Sequence, residues 1–247
     1  MEDSNLPLLS PKAELAPEAE CGLSPSARKM RILRGLTCTD RYERAARESG
    51  ARAVAGVDEV GRGALFGCVA AAAVVLPPGC RIPGLRDSKQ LLPGQRERLA
   101  QVVEKLAIAV AIAEIDPETI DRVNIYQASR LAMTAAVAGL VPAPDHVLVD
   151  AMRLDLECPQ TSIVYGDSLS LSIAAASVVA KVYRDRRMCE LDREYPQYGL
   201  ASHKGYGAPA HKRALLEHGP SPLHRRSFRP VRELAIEAAR RGAEVVI

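Results

Sequence analysis

The sequence has no tryptophan and only two phenylalanines, and aromatic residues make up 4 % of its 247 positions. A core must therefore be assembled from Ala, Val, Leu and Ile, small side chains that let elements approach closely. It also lacks a long hydrophobic run. The longest, Ala64 to Leu76, is broken by Gly67 and closed by Pro77-Pro78, short of the about 20 apolar residues that span a bilayer. No membrane association is expected. Six cysteines are present without a CxxC pair, which argues against a zinc module or a disulfide scaffold and for a reducing, cytoplasmic setting. The acidic start MEDSN carries no apolar signal region. A Walker loop, a GxGxxG turn and a GxSxG elbow are all missing, so nucleotide-triphosphate, dinucleotide and serine-hydrolase chemistry is not expected.

What is there suits a globular chain: 47 % apolar and 26 % charged residues. Charge nearly balances at +3, but unevenly. From Lys181 onward there are 14 Lys and Arg against 8 Asp and Glu, and the first 180 residues carry a net −3. A basic end on an acidic body suits an anionic partner; a solvated helical face explains it equally well.

Residues 1–26 hold four prolines with Glu and Ser and no period, which reads as a disordered tail. Residues 27–50 interleave arginines with apolar residues, the pattern of one or two basic helices closed by Gly50. Buried strands are expected over Arg52–Val57, Leu65–Leu76, Ala107–Ile115, His146–Val149 and Ser162–Tyr165. Helices are expected over Pro93–Lys105, within Pro117–Leu140, over Leu169–Tyr195, Ala208–His218 and Val231–Arg241, with a loop at Gly199–Gly207. Strands and helices alternate and then helices continue alone. The pattern is an α/β body over 51–195 with a C-terminal helical region over 196–247.

The acids fall where the apolar runs end: VAGVDE at Asp58-Glu59, VLVD at Asp150, SIVYGD at Asp167. Ligands of open α/β sheets bind beyond the carboxyl ends of strands. Convergent carboxylates repel one another, and a hard divalent cation, Mg²⁺ or Mn²⁺, relieves that repulsion. Each acid could equally be a helix cap or turn former. Gly61-Arg62-Gly63 follows directly, either a close-approach turn for a phosphate backbone or a plain tight turn. Ser88 and Lys89 offer a small donor and a cation after a Gly/Pro loop. Lys204 and Tyr206 sit in HKGYG, where the ring either stacks on a sugar or packs the loop. The five histidines have no metal-ligand spacing, and His211 and His218 read as surface residues.

These segments resemble those of bacterial ribonuclease HII, the type 2 ribonuclease H family. The matching pieces are VAGVDEVGRG at 54–63, GLRDSKQL at 84–91, IDRVNI at 120–125, VLVD at 147–150, GDSLSLSIAAASVVAKVYRD at 166–185, PQYGLASHKGYG at 196–207 and HRRSFRPV at 224–231. The resemblance implies a ribonuclease H-like core with a central mixed five-stranded sheet flanked by helices, plus a C-terminal helical extension. It implies an endonuclease for RNA–DNA hybrids that also cuts 5′ of single ribonucleotides in duplex DNA. Asp58, Glu59, Asp150 and Asp167 are its implied catalytic and metal-holding acids, serving two Mg²⁺ or Mn²⁺ ions. Gly61, Arg62 and Gly63 are the implied readers of ribose 2′-hydroxyls, and Tyr206 the implied sensor of the RNA-to-DNA junction. Ser88, Lys89, Lys181 and Lys204 are expected at phosphates, and the chain is expected to act as a monomer. Two departures stand out: Tyr165 replaces a lysine common in the family, and Ala151 replaces the usual glycine after the third acid. A binding protein of this fold without catalysis, or a nuclease of this fold with another substrate, is the alternative.

Overall fold

The computed structural model describes Ser24 and residues 35–244. The expected disordered tail over 1–26, Ser24 apart, and the start of the basic segment at 27–34 lie outside the described residues. Within the rest of that segment α1 spans Arg41–Glu48, and Gly50 follows it with φ +104°.

One five-stranded mixed sheet organises the chain, in the order β3-β2-β1-β4-β5. Its strands are β1 (Val54–Val60), β2 (Val69–Val75), β3 (Ala109–Ile115), β4 (His146–Asp150) and β5 (Gln160–Ile163). β1, β2 and β3 pair antiparallel, while β1, β4 and β5 pair parallel. The helices are α2 (Pro93–Leu106), α3 (Pro117–Val123), α4 (Ile125–Ala138), α5 (Gly166–Leu169), α6 (Leu171–Glu194), α7 (Leu200–His203), α8 (Pro209–His218) and α9 (Arg229–Glu244).

Alanine explains how the layers close. β2 reads VAAAAVV and every residue of it is buried, because both faces are covered. One face meets α4 through Ala71 and Ala73; the other meets α2 and α6 through Ala72 and Val74. Gly56 completes the fit. A Cβ there would lie 2.2 Å from the Ser172 carbonyl carbon, so only glycine lets α6 cross β1 so closely. That crossing lays α6 over the face of β1 that carries Asp58. Beyond the sheet, Met188 and Leu191 of α6 join Phe66, Tyr198 and Leu200 in a separate apolar cluster under the C-terminal helices.

Four expectations need correction. The run Leu65–Leu76 is not one strand: β2 begins at Val69, and Ala64 and Phe66 instead bridge to Tyr206 and His224 of the C-terminal region. Asp58 and Glu59 lie inside β1 rather than after it, since β1 continues to Val60 by pairing with Ala70. The fifth strand ends at Ile163. Tyr165 turns left-handed at φ 61° and opens α5, so Asp167 arrives on a short helix and not at a strand end. The loop at Gly199–Gly207 contains the short α7.

Candidate active site

The parallel register of β1 and β4 pairs Val57 with Val149, so Asp58 and Asp150 follow at the same level on neighbouring strands. Glu59 is next along β1, and Asp167 comes in on α5. Asp150 Oδ1 accepts from the Gly166 N–H at 2.8 Å, which ties the β4 end to the start of α5.

Crowding four carboxylates here has an electrostatic consequence. Burial, then the charges of Glu59, Asp150 and Asp167, hold Asp58 well above the ordinary aspartate range; a hydrogen bond from Ser177 pulls the other way. Asp150 is pushed up to about 7, first by burial and then by Asp167. Asp167 is raised by burial and by Asp87. Protein cations cover two of the acids. Lys89 Nζ donates to Asp167 Oδ2 at 3.2 Å, and Arg62 Nη1 to Glu59 Oε1 at 3.2 Å. Burial alone would lower the Lys89 ammonium, but Asp167, Asp87 and Asp58 outweigh it and hold it above the usual lysine range.

The donor set fits a hard divalent cation. It is all oxygen and mutually repelling, and Glu59 Oε2 is buried with no partner among the described residues. As the side chains stand, no three His, Cys, Asp or Glu among the described residues are gathered closely enough to enclose an ion. Lys89 and Arg62 each hold one oxygen of a carboxylate, Asp167 Oδ2 and Glu59 Oε1.

Beside the acids opens a cleft of about 280 Å³. Its walls include Asp58, Glu59, the turn Gly61-Arg62-Gly63, Ser88, Lys89, Lys181 and Tyr206. Asp150 and Asp167 do not line the cleft, but their charges act on Asp58, which does. Ser88 Oγ and Ser177 Oγ lie 3.0 Å apart and are buried. Lys181 Nζ is paired with Asp185 at 2.6 Å and lies 5.9 Å from the centre of the Tyr206 ring. Lys204 does not line the cleft: its ammonium donates to the Ala201 carbonyl at 2.6 Å and reaches Cys189 Sγ at 3.1 Å.

Several neighbours of the site were not foreseen. Ser177 and Arg184 share one face of α6 with the expected Lys181 at helical spacing, so the signal was present in the i, i+4, i+7 pattern. His211, expected at the surface, is fully buried. It bonds the Tyr206 carbonyl through Nδ1 at 2.9 Å and His224 through Nε2 at 3.1 Å.

A family model described as Ribonuclease HII matches residues 55–231. The chain is 57 % identical over 209 residues to the ribonuclease HII of Koribacter versatilis (strain Ellin345), covering 85 % of this chain and 82 % of that one. Among solved structures, the ribonuclease H2 of Pyrococcus horikoshii OT3 superposes with a TM-score of 0.66 at 27 % identity, over 76 % of this chain and 99 % of that one. Bst-RNase HIII in complex with Mn²⁺ shares the fold, with a TM-score of 0.56 at 21 % identity over 79 % of this chain and 73 % of its own.

Proposed function

The chain belongs to the ribonuclease HII family and is an endoribonuclease of RNA–DNA hybrids; from that premise we propose that it also cuts 5′ of single ribonucleotides embedded in duplex DNA. The observation that carries this reading is the sharing of one cleft by Asp58 and Glu59, the Gly61-Arg62-Gly63 turn and the Tyr206 ring. Chemistry and sugar recognition then act on the same phosphodiester.

Asp58, Glu59, Asp150 and Asp167 would hold Mg²⁺ or Mn²⁺. Two such ions, when bound, neutralise charge at the phosphate and make water a competent nucleophile. The rest falls to the chain itself. Lys89 and Lys181 flank the acids with ammonium groups whose present partners are Asp167 and Asp185, and both are placed to exchange those partners for phosphate oxygens. Gly63 leaves open space beside the Tyr206 ring, so a ribose edge can approach the backbone of the turn there. Tyr206, 36 % exposed, offers a ring at the sugar. Metal chemistry does not distinguish RNA from DNA, so selectivity falls to the turn and the ring.

The test is cleavage of a DNA duplex carrying one ribonucleotide, with Mg²⁺, Mn²⁺ or chelator, beside Asp58→Asn. Metal-dependent cutting 5′ of the ribonucleotide, reduced by about a thousandfold or more in a folded mutant, is expected. Near-wild-type cutting by Asp58→Asn, or no cutting by the wild-type chain, overturns the reading.

A further inference from the structure

Two arginines are buried beside the cleft with 1 % and 0 % exposure, Arg184 on α6 and Arg225 before α9. Every hydrogen bond they make goes to a main-chain carbonyl. Arg225 donates to Gly61 O at 2.7 Å, Arg62 O at 3.0 Å and Gly67 O at 2.9 Å. Arg184 donates to Phe66 O at 3.1 Å, Cys68 O at 3.2 Å and Lys204 O at 2.9 Å. Burying two guanidiniums near each other is costly. Burial, followed by the charge of Arg184, pulls Arg225 down to about 9, and its Nη2 has no partner among the described residues.

The geometry shows what this arrangement does. In a trans peptide the carbonyl and the following N–H point in opposite directions. Arg225 holds the Gly61 and Arg62 carbonyls inward, so the N–H groups of Arg62 and Gly63 are turned away from it. Both residues line the cleft, and neither N–H is spent on a protein acceptor among the described residues. Arg184 fixes the second half of the same loop. It also packs against Gly61, where a Cβ would fall 2.2 Å from its Nε, and its guanidinium lies 5.5 Å from the Tyr206 ring centre. Through the Lys204 carbonyl it ties that loop to the segment carrying Tyr206, reinforced by the Leu65 N–H donating to Gly205 O at 2.8 Å.

We propose that Arg184 and Arg225 are positioning residues for ribose discrimination: Arg225 aims the Arg62 and Gly63 N–H groups into the cleft, and Arg184 locks that turn to Tyr206. The inference rests on the reading of the cleft given above. Neither arginine touches substrate; each acts through backbone that does. Lysine keeps the charge but not the planar fork, so it cannot bridge the same carbonyls.

The experiment compares wild type, Arg184→Lys and Arg225→Lys on two substrates, a duplex with one ribonucleotide and a full RNA–DNA hybrid, with thermal unfolding of each protein recorded alongside. A purely structural role lowers kcat/KM on both substrates by the same factor. The expected result is that the ratio of kcat/KM, single ribonucleotide over hybrid, falls about tenfold or more in proteins folded at the assay temperature. An unchanged ratio in either folded variant overturns the inference while leaving the proposed function standing. Failure of both variants to fold overturns it as well, since the pair would then be determinants of the fold. Inability of wild type to cut the single-ribonucleotide duplex overturns both readings.

Discussion

Lys89 Nζ lies 3.2 Å from Asp167 Oδ2, so a protein cation sits on one of the four carboxylates assigned to metal binding. The lysine side chain is 76 % exposed while the carboxylate is buried, at 8 %. The cation is thus the exposed member of the pair and the carboxylate the buried one. A cation on Asp167 competes with any ion that approaches it.

Removing that competitor has two opposed effects. Lys89→Met is expected to tighten Mn²⁺ binding to the nucleic-acid-free protein by about twofold to fivefold, since a screened exposed pair contributes at most about 1 kcal/mol. The same change is expected to raise KM for the hybrid. Isothermal titration with Mn²⁺, followed by steady-state kinetics, separates the two. Weaker Mn²⁺ binding in the variant would show that Lys89 supports the metal site instead of guarding it.

The raised acids make metal-free stability fall with pH. Asp150 is pushed up to about 7, from a usual aspartate value near 3.8. Between those values the folded state binds more protons than the unfolded state. Stability associated with this group is therefore greatest below the lower value and is lost as pH rises through the upper one. Asp150→Asn removes the titration. In chelator, the mutant is expected to gain on wild type as pH rises from 4 to 7, by up to a few kcal/mol, and then to level. Urea unfolding at a series of pH values measures the difference, and a gap that narrows with pH contradicts the assignment.

Ala151 carries backbone strain beside the third acid. Its φ is +50°, a region L residues rarely enter, and its side chain is exposed. Ala151→Gly relieves the conformation without removing packing, and is expected to stabilise the protein by about 1 kcal/mol. A thermal midpoint unchanged or lowered in the variant argues that Ala151 is not strained in solution.

The sequence displayed the acids because each follows an apolar run; Asp150 does end its strand, while Asp58 and Glu59 lie within β1, which continues to Val60. It displayed Asp167 less well, since the left-handed turn at Tyr165 carries no propensity signal. Ala151 and Tyr165 were visible as departures from the family pattern, but not as residues with positive φ. The buried arginines were hidden by composition. Arg184 lies in the charged half of a long helix and Arg225 in an Arg-rich stretch, and both read as solvated until the loop that they hold is placed over them. His211, between Ala210 and Lys212, was hidden in the same way. Counting charges cannot separate a cation that faces an anionic partner from one that holds backbone carbonyls.

Glu43 anchors the segment that precedes the family match. It is 3 % exposed, and its Oε1 accepts from Ser170 Oγ at 2.7 Å, Ser172 N at 2.8 Å and Ser172 Oγ at 2.6 Å. Its Oε2 is buried without a partner among the described residues. The acceptor lies at the N-terminus of α6, where an anion is favoured by the helix dipole and by unspent N–H groups. Thr39 adds two main-chain hydrogen bonds, to Leu169 and from Leu171, so α1 and its lead-in clasp the junction between α5 and α6. Glu43→Ala leaves two hydroxyls and an N–H without their acceptor, and is expected to destabilise the protein by about 2–4 kcal/mol. Glu43→Gln keeps one acceptor oxygen and loses the charge, so it should fall between alanine and wild type. Urea unfolding of the three proteins tests the order. If alanine costs less than about 0.5 kcal/mol, the clasp does not hold α6, and the basic segment must be bound to the body by other contacts.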